Sequence, residues 1–153
     1  YGLVGSEMCI RDRIRVPFIV NQPGMVPIQT LDNLIYFPDM MPTLAALAKG
    51  TKHLPKQING INILPLFYGK QVDTDNRLLY WEFPGKQRAA RKGDWKCVTI
   101  HPNQPLELYN LKEDPEETNN LAKKYPRRVK EFDEEMQRMH IPTPNWPQPG
   151  EQF

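Results

Sequence analysis

The sequence has almost no cysteine, little histidine and no long apolar run. Two cysteines, Cys9 and Cys97, do not make a disulfide scaffold. No stretch approaches the ~20 apolar residues that a membrane-spanning helix needs, so no membrane partner is expected. No basic-then-apolar leader opens the chain. His53, His101 and His140 are far apart, and no H-x-x-x-H or C-x-x-C pair exists, so no local metal site can be read. A Gly-x-Ser-x-Gly elbow and a Gly-rich phosphate loop ending in Lys-Ser/Thr are also missing. Nothing resembles a complete set of nucleophile, base and orienter. The net charge of +2 gives no case for nucleic acid or an anionic surface.

Proline, in contrast, is abundant. Sixteen prolines suit a chain of short elements joined by stiff connections rather than a helical bundle. Residues 1–13, "YGLVGSEMCIRDR", show neither helical nor strand periodicity and look like translated adapter text. They read as a non-native leader, in which case Tyr1 is not a biological start.

Residues 14–70 read as a strand, a helix and a loop, too little to make a domain alone. "IRVPFIV" (14–20) is apolar and β-branched, which predicts a buried strand, with Pro17 placing it at an edge or bulge. "PDMMPTLAALAK" (38–49) predicts a helix with Asp39 as N-cap and Pro42 in its first turn. Phe37, Met41, Leu44 and Ala48 fall on one stripe, and Gly50 is the expected stop. "INGINILPLFYG" (58–69) reads as a loop with one helical turn around Leu64 to Tyr68.

Residues 71–140 read as a small subdomain. "RLLYWEF" (77–83) predicts a strand, and "QRAARK" and "WKCVTI" flank Gly93-Asp94 as a hairpin. "LELYNL" (106–111) predicts a further strand. "KEDPEETNNLAKKYP" is a charged, turn-rich connection. A final helix is expected from Pro126 to His140, with Val129, Phe132, Met136 and Met139 as its stripe. The tail, 141–153, is proline-rich and is expected to run without regular structure. The residues therefore read as an α+β chain: a strand and a helix, then an antiparallel sheet of about four strands closed by a C-terminal helix.

The basic cluster is the strongest internal clue to chemistry. Lys86, Arg88, Arg91, Lys92 and Lys96 meet a single acid, Asp94. Alternation puts Gln87, Ala89 and Arg91 on one face, and Arg88, Ala90 and Lys92 on the other. Small alanines between long cations are expected to leave room for a flat anion such as sulfate or carboxylate. The competing reading is a solvated hairpin face. Asp73, Asp75 and the "KEDPEE" run lack the glycine and closing glutamate of a calcium loop and read as acidic turns. Trp95 reads as a packing residue under the last helix rather than a sugar platform.

Six segments, in order, resemble the C-terminal portion of a type I sulfatase of the alkaline-phosphatase-like superfamily. They are "IRVPFIVNQPG", "FPDMMPTLAALA", "INGINILPLFYGK", "LLYWEF", "RAARKGDWKCV" and "ELYNLKEDPEETNNLA". The resemblance covers roughly residues 14–140. It implies a fold, with residues 14–70 the last strand and helix of a large α/β domain and 71–140 its small C-terminal subdomain. It also implies sulfate-ester hydrolysis on carbohydrate by the complete enzyme, in which a formylglycine hydrate attacks sulfur and calcium neutralises the sulfate oxygens. The family's motif, metal ligands, lysines and histidines all precede "IRVP". No catalytic or metal residue carries over, and this stretch alone is expected to be inactive. "CIRDR" (9–13) approaches the family's Cys-x-Pro-x-Arg signature but has Arg11 where proline is required. The resemblance does extend to substrate-binding positions. In "WEFPGKQRAARKGDWK", Lys86 and Gln87 match the family's Lys-Gln pair, and Arg91 falls near its arginine. The family's nearby histidine is missing, since Pro84 follows Phe83. The implied partner is a sulfated small molecule or glycan, and the implied location is periplasmic or secreted. Two other readings stand beside it: a non-catalytic module for anionic glycans, and another hydrolase of the superfamily, a phosphatase or phosphodiesterase.

Overall fold

The computed structural model describes residues 16–83, 87–99, 104–145 and 150–152. The chain divides into two compact units, one of residues 18–76 and one built mainly from residues 77–153.

In the first unit, a 3-10 turn over Phe37–Asp39 runs into helix α1, Met40–Leu47. A second short helix, α2, spans Leu64–Phe67, with Pro65 in its first turn where the lost N–H costs little. The unit is tied together by polar side chains that accept from backbone. The Asp39 carboxylate accepts from the N–H of Tyr36 at 3.0 Å and of Ile61 at 2.9 Å. Thr43 Oγ1 accepts from Ile63 N–H at 3.0 Å, and Thr74 Oγ1 from Leu34 N–H at 3.1 Å. Gly60 lies so close to the preceding turn that a Cβ there would sit 2.0 Å from the Pro38 carbonyl oxygen. Only glycine fits this approach.

Four expectations for residues 14–70 need correction. Residues 16–20 of "IRVPFIV" form no strand, and Phe18 and Ile19 are 46% and 85% exposed. A strand needs a neighbour to take its backbone groups, and no described strand pairs with this segment. Residues 14 and 15 lie outside the described residues. Asp39 does stand at the N-cap position of α1, but its side chain caps nothing there, because its oxygens are committed to Tyr36 and Ile61. The apolar stripe also faces outward: Phe37, Met41 and Leu44 are exposed, and α1 buries Pro42 and Thr43 instead. The helix ends through Lys49 in the left-handed region (φ 56°), one residue before the expected Gly50. Lys49 N–H reaches Ala46 O and Gly50 N–H reaches Ala45 O, the paired bonds of a Schellman motif.

The second unit follows the expected order. Strands β1 (Leu79–Phe83), β2 (Gln87–Lys92), β3 (Trp95–Thr99) and β4 (Glu107–Asn110) form one antiparallel sheet in sequence order. Lys92 pairs with Trp95 across a two-residue turn, and Gly93 takes the positive φ of 55° that its first central position requires. Helix α3, Pro126–Met139, lies on one face. There Ala90, Cys97 and Leu108, aligned across three strands, pack with Phe132 and Met136. On the opposite face Ala89, Val98 and Tyr109 gather with Trp81 and Leu111. Tail residues 141–145 and 150–152 have no regular structure, as expected.

Candidate functional site

The basic hairpin divides its cations between the two sheet faces, as strand alternation dictates. On the helix side Arg88 Nη2 meets Asp133 at 3.3 Å, and Lys92 Nζ meets Glu135 at 3.5 Å. Both acids come from α3, so these two charges help seat the helix. On the far side Lys96 is fully buried, with Nζ 2.7 Å from each oxygen of Glu117. Glu117 itself holds a left-handed backbone, φ 58°. A non-glycine residue there signals strain that the buried ion pair helps to sustain.

Among the described residues, the alanines between the cations are not open to an anion. Ala89 and Ala90 are both buried, one among the far-face apolar side chains and one beneath Phe132 and Met136. The hydrophobic residues that close the two faces use the space that small side chains leave. Trp95 packs under the helix as expected. Its ring meets Tyr125 edge-on at 5.3 Å, and the Arg128 guanidinium lies 4.3 Å from its centroid.

Of the three expected substrate-binding residues, Lys86 lies outside the described residues. Gln87 opens β2 opposite Phe83, and Arg91 lies on the same face near the other end of the strand. Four residues of extended chain separate them by about 13 Å. Arg91 Nε donates to Gly93 O at 3.0 Å, which draws that side chain toward the turn.

The acidic segments behave as turns. Asp73 accepts from Asp75 and Asn76 N–H and from the Asn76 side chain, which holds its carboxyl below the usual range. Asp114 accepts from Thr118 and Asn119 N–H and from the Thr118 hydroxyl, with the same effect. Among the described residues no group of three or more His, Cys, Asp or Glu is arranged to hold a metal. Cys9 lies outside the described residues. Cys97 is buried, and loss of hydration pushes its thiol up to about 12, so it is not a ready nucleophile.

A polar cluster that the strand and helix patterns left unassigned stands at the C-terminal end of α3. His140 Nδ1 lies 2.8 Å from Glu82 on β1, and its Nε2 lies 2.5 Å from Glu151. A signal for it was present: His140 continues the four-residue step of Phe132 and Met136 along the buried stripe.

The chain and its fold have counterparts among known proteins. A family model described as "N-sulphoglucosamine sulphohydrolase, C-terminal" matches residues 1–141. The chain belongs to this sulfatase family. It is 32% identical over 134 residues to an uncharacterized protein of Haemophilus influenzae, covering 80% of this chain and 67% of that one. It is also 32% identical over 127 residues to an uncharacterized sulfatase of Schizosaccharomyces pombe, covering 74% of this chain but only 22% of the relative. Among solved structures, a 2-O GAG sulfatase superposes with a TM-score of 0.54 at 27% identity, covering 65% of this chain and 24% of that one. The sheet and closing helix match the C-terminal part of such sulfatases. Among the described residues, no helix is long and apolar enough to cross a membrane.

Proposed function

We propose that this sulfatase-family chain works as the C-terminal portion of a larger enzyme that hydrolyses sulfate esters on carbohydrate. The family match over residues 1–141 carries this reading. The chain spans under a quarter of the yeast sulfatase and of the solved 2-O GAG sulfatase, which leaves most of such an enzyme outside the match. The exposed stripe of α1 supports it further, since Phe37, Met41 and Leu44 suit burial against more of an α/β domain. In this reading the formylglycine nucleophile and calcium belong to that remainder. The domain end at 14–70 anchors to it, the 71–140 subdomain closes it, and the enzyme is periplasmic or secreted.

Substrate contact falls to Lys86, Gln87 and Arg91. The spread between Gln87 and Arg91 favours a sulfated chain of sugars over a compact monosaccharide. A stand-alone anion-binding module is the weaker reading, because Arg88, Lys92 and Lys96 are already matched with carboxylates.

The decisive experiment assays the 153-residue chain with an aryl sulfate and calcium. Hydrolysis at background is expected. Turnover that disappears on Cys9→Ala would overturn the division of labour. In the parent enzyme, Gln87→Ala is expected to raise KM for a sulfated oligosaccharide by about tenfold, the worth of one lost charge-assisted hydrogen bond. Its rate with a small aryl sulfate should hardly change.

A further inference from the structure

The positive charge of this chain gathers in one place. The whole sequence carries only +2, yet residues 123–130, "KKYPRRVK", hold five cations and no acid. They run from the connection after β4 into the first turns of α3. Lys123, Lys124, Arg127, Arg128 and Lys130 are all exposed. Among the described residues only Lys130 meets a carboxylate, Glu134 at 3.8 Å on the open surface. Glu131, next along α3, and Asp94, beside Trp95 in the hairpin, form no ion pair with the other four. The acids farther along α3 are engaged by β2, Asp133 by Arg88 and Glu135 by Lys92.

Helix stability does not call for this charge. The start of a helix is the positive end of its dipole, where acids stabilise and cations cost. The first turn of α3 has no acid. The helix is seated on the sheet by Phe132 and Met136, not by these residues. Two of the cations are instead set on aromatic rings. The Arg128 guanidinium lies 4.3 Å from the Trp95 centroid, and Lys124 Nζ lies 5.4 Å from that of Tyr125. The two rings brace one another edge-on at 5.3 Å. A guanidinium laid on a ring keeps its edge donors for a flat oxyanion, and its position is fixed before anything binds, which lowers the ordering cost.

We propose that Lys123, Lys124, Arg127 and Arg128, braced by Trp95 and Tyr125, form an anchoring surface for a sulfated glycan chain. It is separate from the contact assigned above: Trp95 and Tyr125 pack on the helix side of the sheet, whereas Gln87 and Arg91 share a face with Ala89 on the other. The inference rests on the sulfatase reading, which supplies sulfate as the anion. The patch supplies the complementary charge, as a row rather than a point. A row suits a polymer of repeated oxyanions better than a single sulfate group.

The test titrates the full 153-residue chain with a heparin-derived hexasaccharide and follows amide NMR shifts and the Trp95 indole N–H. Shifts are expected in residues 123–130 and at Trp95, with an affinity that falls as salt rises. The same hexasaccharide stripped of its sulfates should bind at least about tenfold more weakly, since several charge contacts are lost together. Arg127→Ala should weaken binding about fivefold and lower the salt slope by about one, while tryptophan fluorescence of the sheet stays native. Arg128→Lys keeps the charge but loses the flat stack, and should also weaken binding. Lys52→Ala, at an exposed cation of the other unit, should change nothing. Absence of shifts in residues 123–130 overturns the anchor, as does an equal loss in Lys52→Ala. Tighter binding of a single-stranded oligonucleotide of the same charge would assign the surface to nucleic acid and overturn it too. Shifts confined to residues 87–92 overturn the anchor alone; the sulfatase reading is judged separately, by sulfate release from the hexasaccharide by the parent enzyme.

Discussion

The two units of this chain are held together by different physics. The unit built on residues 77–153 buries nine apolar side chains among its described residues and leaves four large ones exposed. The unit of residues 18–76 buries three, Leu34, Ile63 and Leu66, and exposes ten. Its other fully enclosed groups include Asp39, Thr43 and Thr74, each accepting from backbone N–H. One unit is a layered core; the other is a loop framework pinned by polar clamps, with its apolar helix face turned outward. Hydrogen bonds give a unique shape but little net stability, and apolar burial supplies most of the driving force. The sheet unit should therefore melt as a cooperative body, and residues 18–76 should depend on something covering α1.

The most severe break in this comparison is a polar one inside the apolar unit. Lys96→Ala leaves Glu117 buried without its cation, on a backbone already in the left-handed region. A loss of about 3–5 kcal/mol is expected, read from the urea midpoint of tryptophan fluorescence. Trp81 and Trp95 both report on this unit, and residues 18–76 contain no tryptophan. A loss below about 1 kcal/mol would put the pair among solvated surface bridges.

That ion pair also marks the limit of what could be read from sequence. Hairpin, strands and final helix were legible because alternation and the 3-4 spacing act over neighbouring residues. Gly93 and Pro126 punctuate them in the usual way. Charge pairing was not legible. Lys96 looks like one more surface cation in "WKCVTI", and its partner lies 21 residues away on a loop. Arg88 and Lys92 likewise find their acids on α3, far along the chain. The basic cluster therefore offered two readings, an anion site and a solvated hairpin face, and neither foresaw that Arg88, Lys92 and Lys96 face carboxylates. "IRVPFIV" failed for a related reason: composition shows that a segment suits a strand, but pairing partners decide whether it becomes one.

A matched pair of truncations sharpens the contrast. Met136→Ala removes a fully buried side chain between α3 and the sheet. It should cost about 2–5 kcal/mol. Leu44→Ala trims a residue that is 58% exposed on α1 and should fall within about 0.5 kcal/mol. The isolated chain is expected to self-associate through the α1 face, and Leu44→Glu should reduce this in sedimentation velocity runs. Equal costs for the two truncations would mean that the α1 stripe is covered after all, and a monodisperse wild-type chain would mean that it needs no cover.

The smallest effect tests the clamped unit at its helix stop. Lys49 adopts φ 56°, where its Cβ crowds the backbone at a cost of about 1–2 kcal/mol. Glycine removes that strain but gains freedom in the unfolded chain, which returns about 0.4–1 kcal/mol. Lys49→Gly should therefore stabilise residues 18–76 by roughly 0.5–1 kcal/mol. Because no tryptophan lies there, the readout is slower amide exchange at Lys49 and Gly50, whose N–H groups close the Schellman pair on Ala46 and Ala45. The tryptophan-monitored unfolding of the sheet should not move. Faster exchange in the variant would mean that the left-handed residue of this helix end is not Lys49, and a shift in both units would mean that they unfold together.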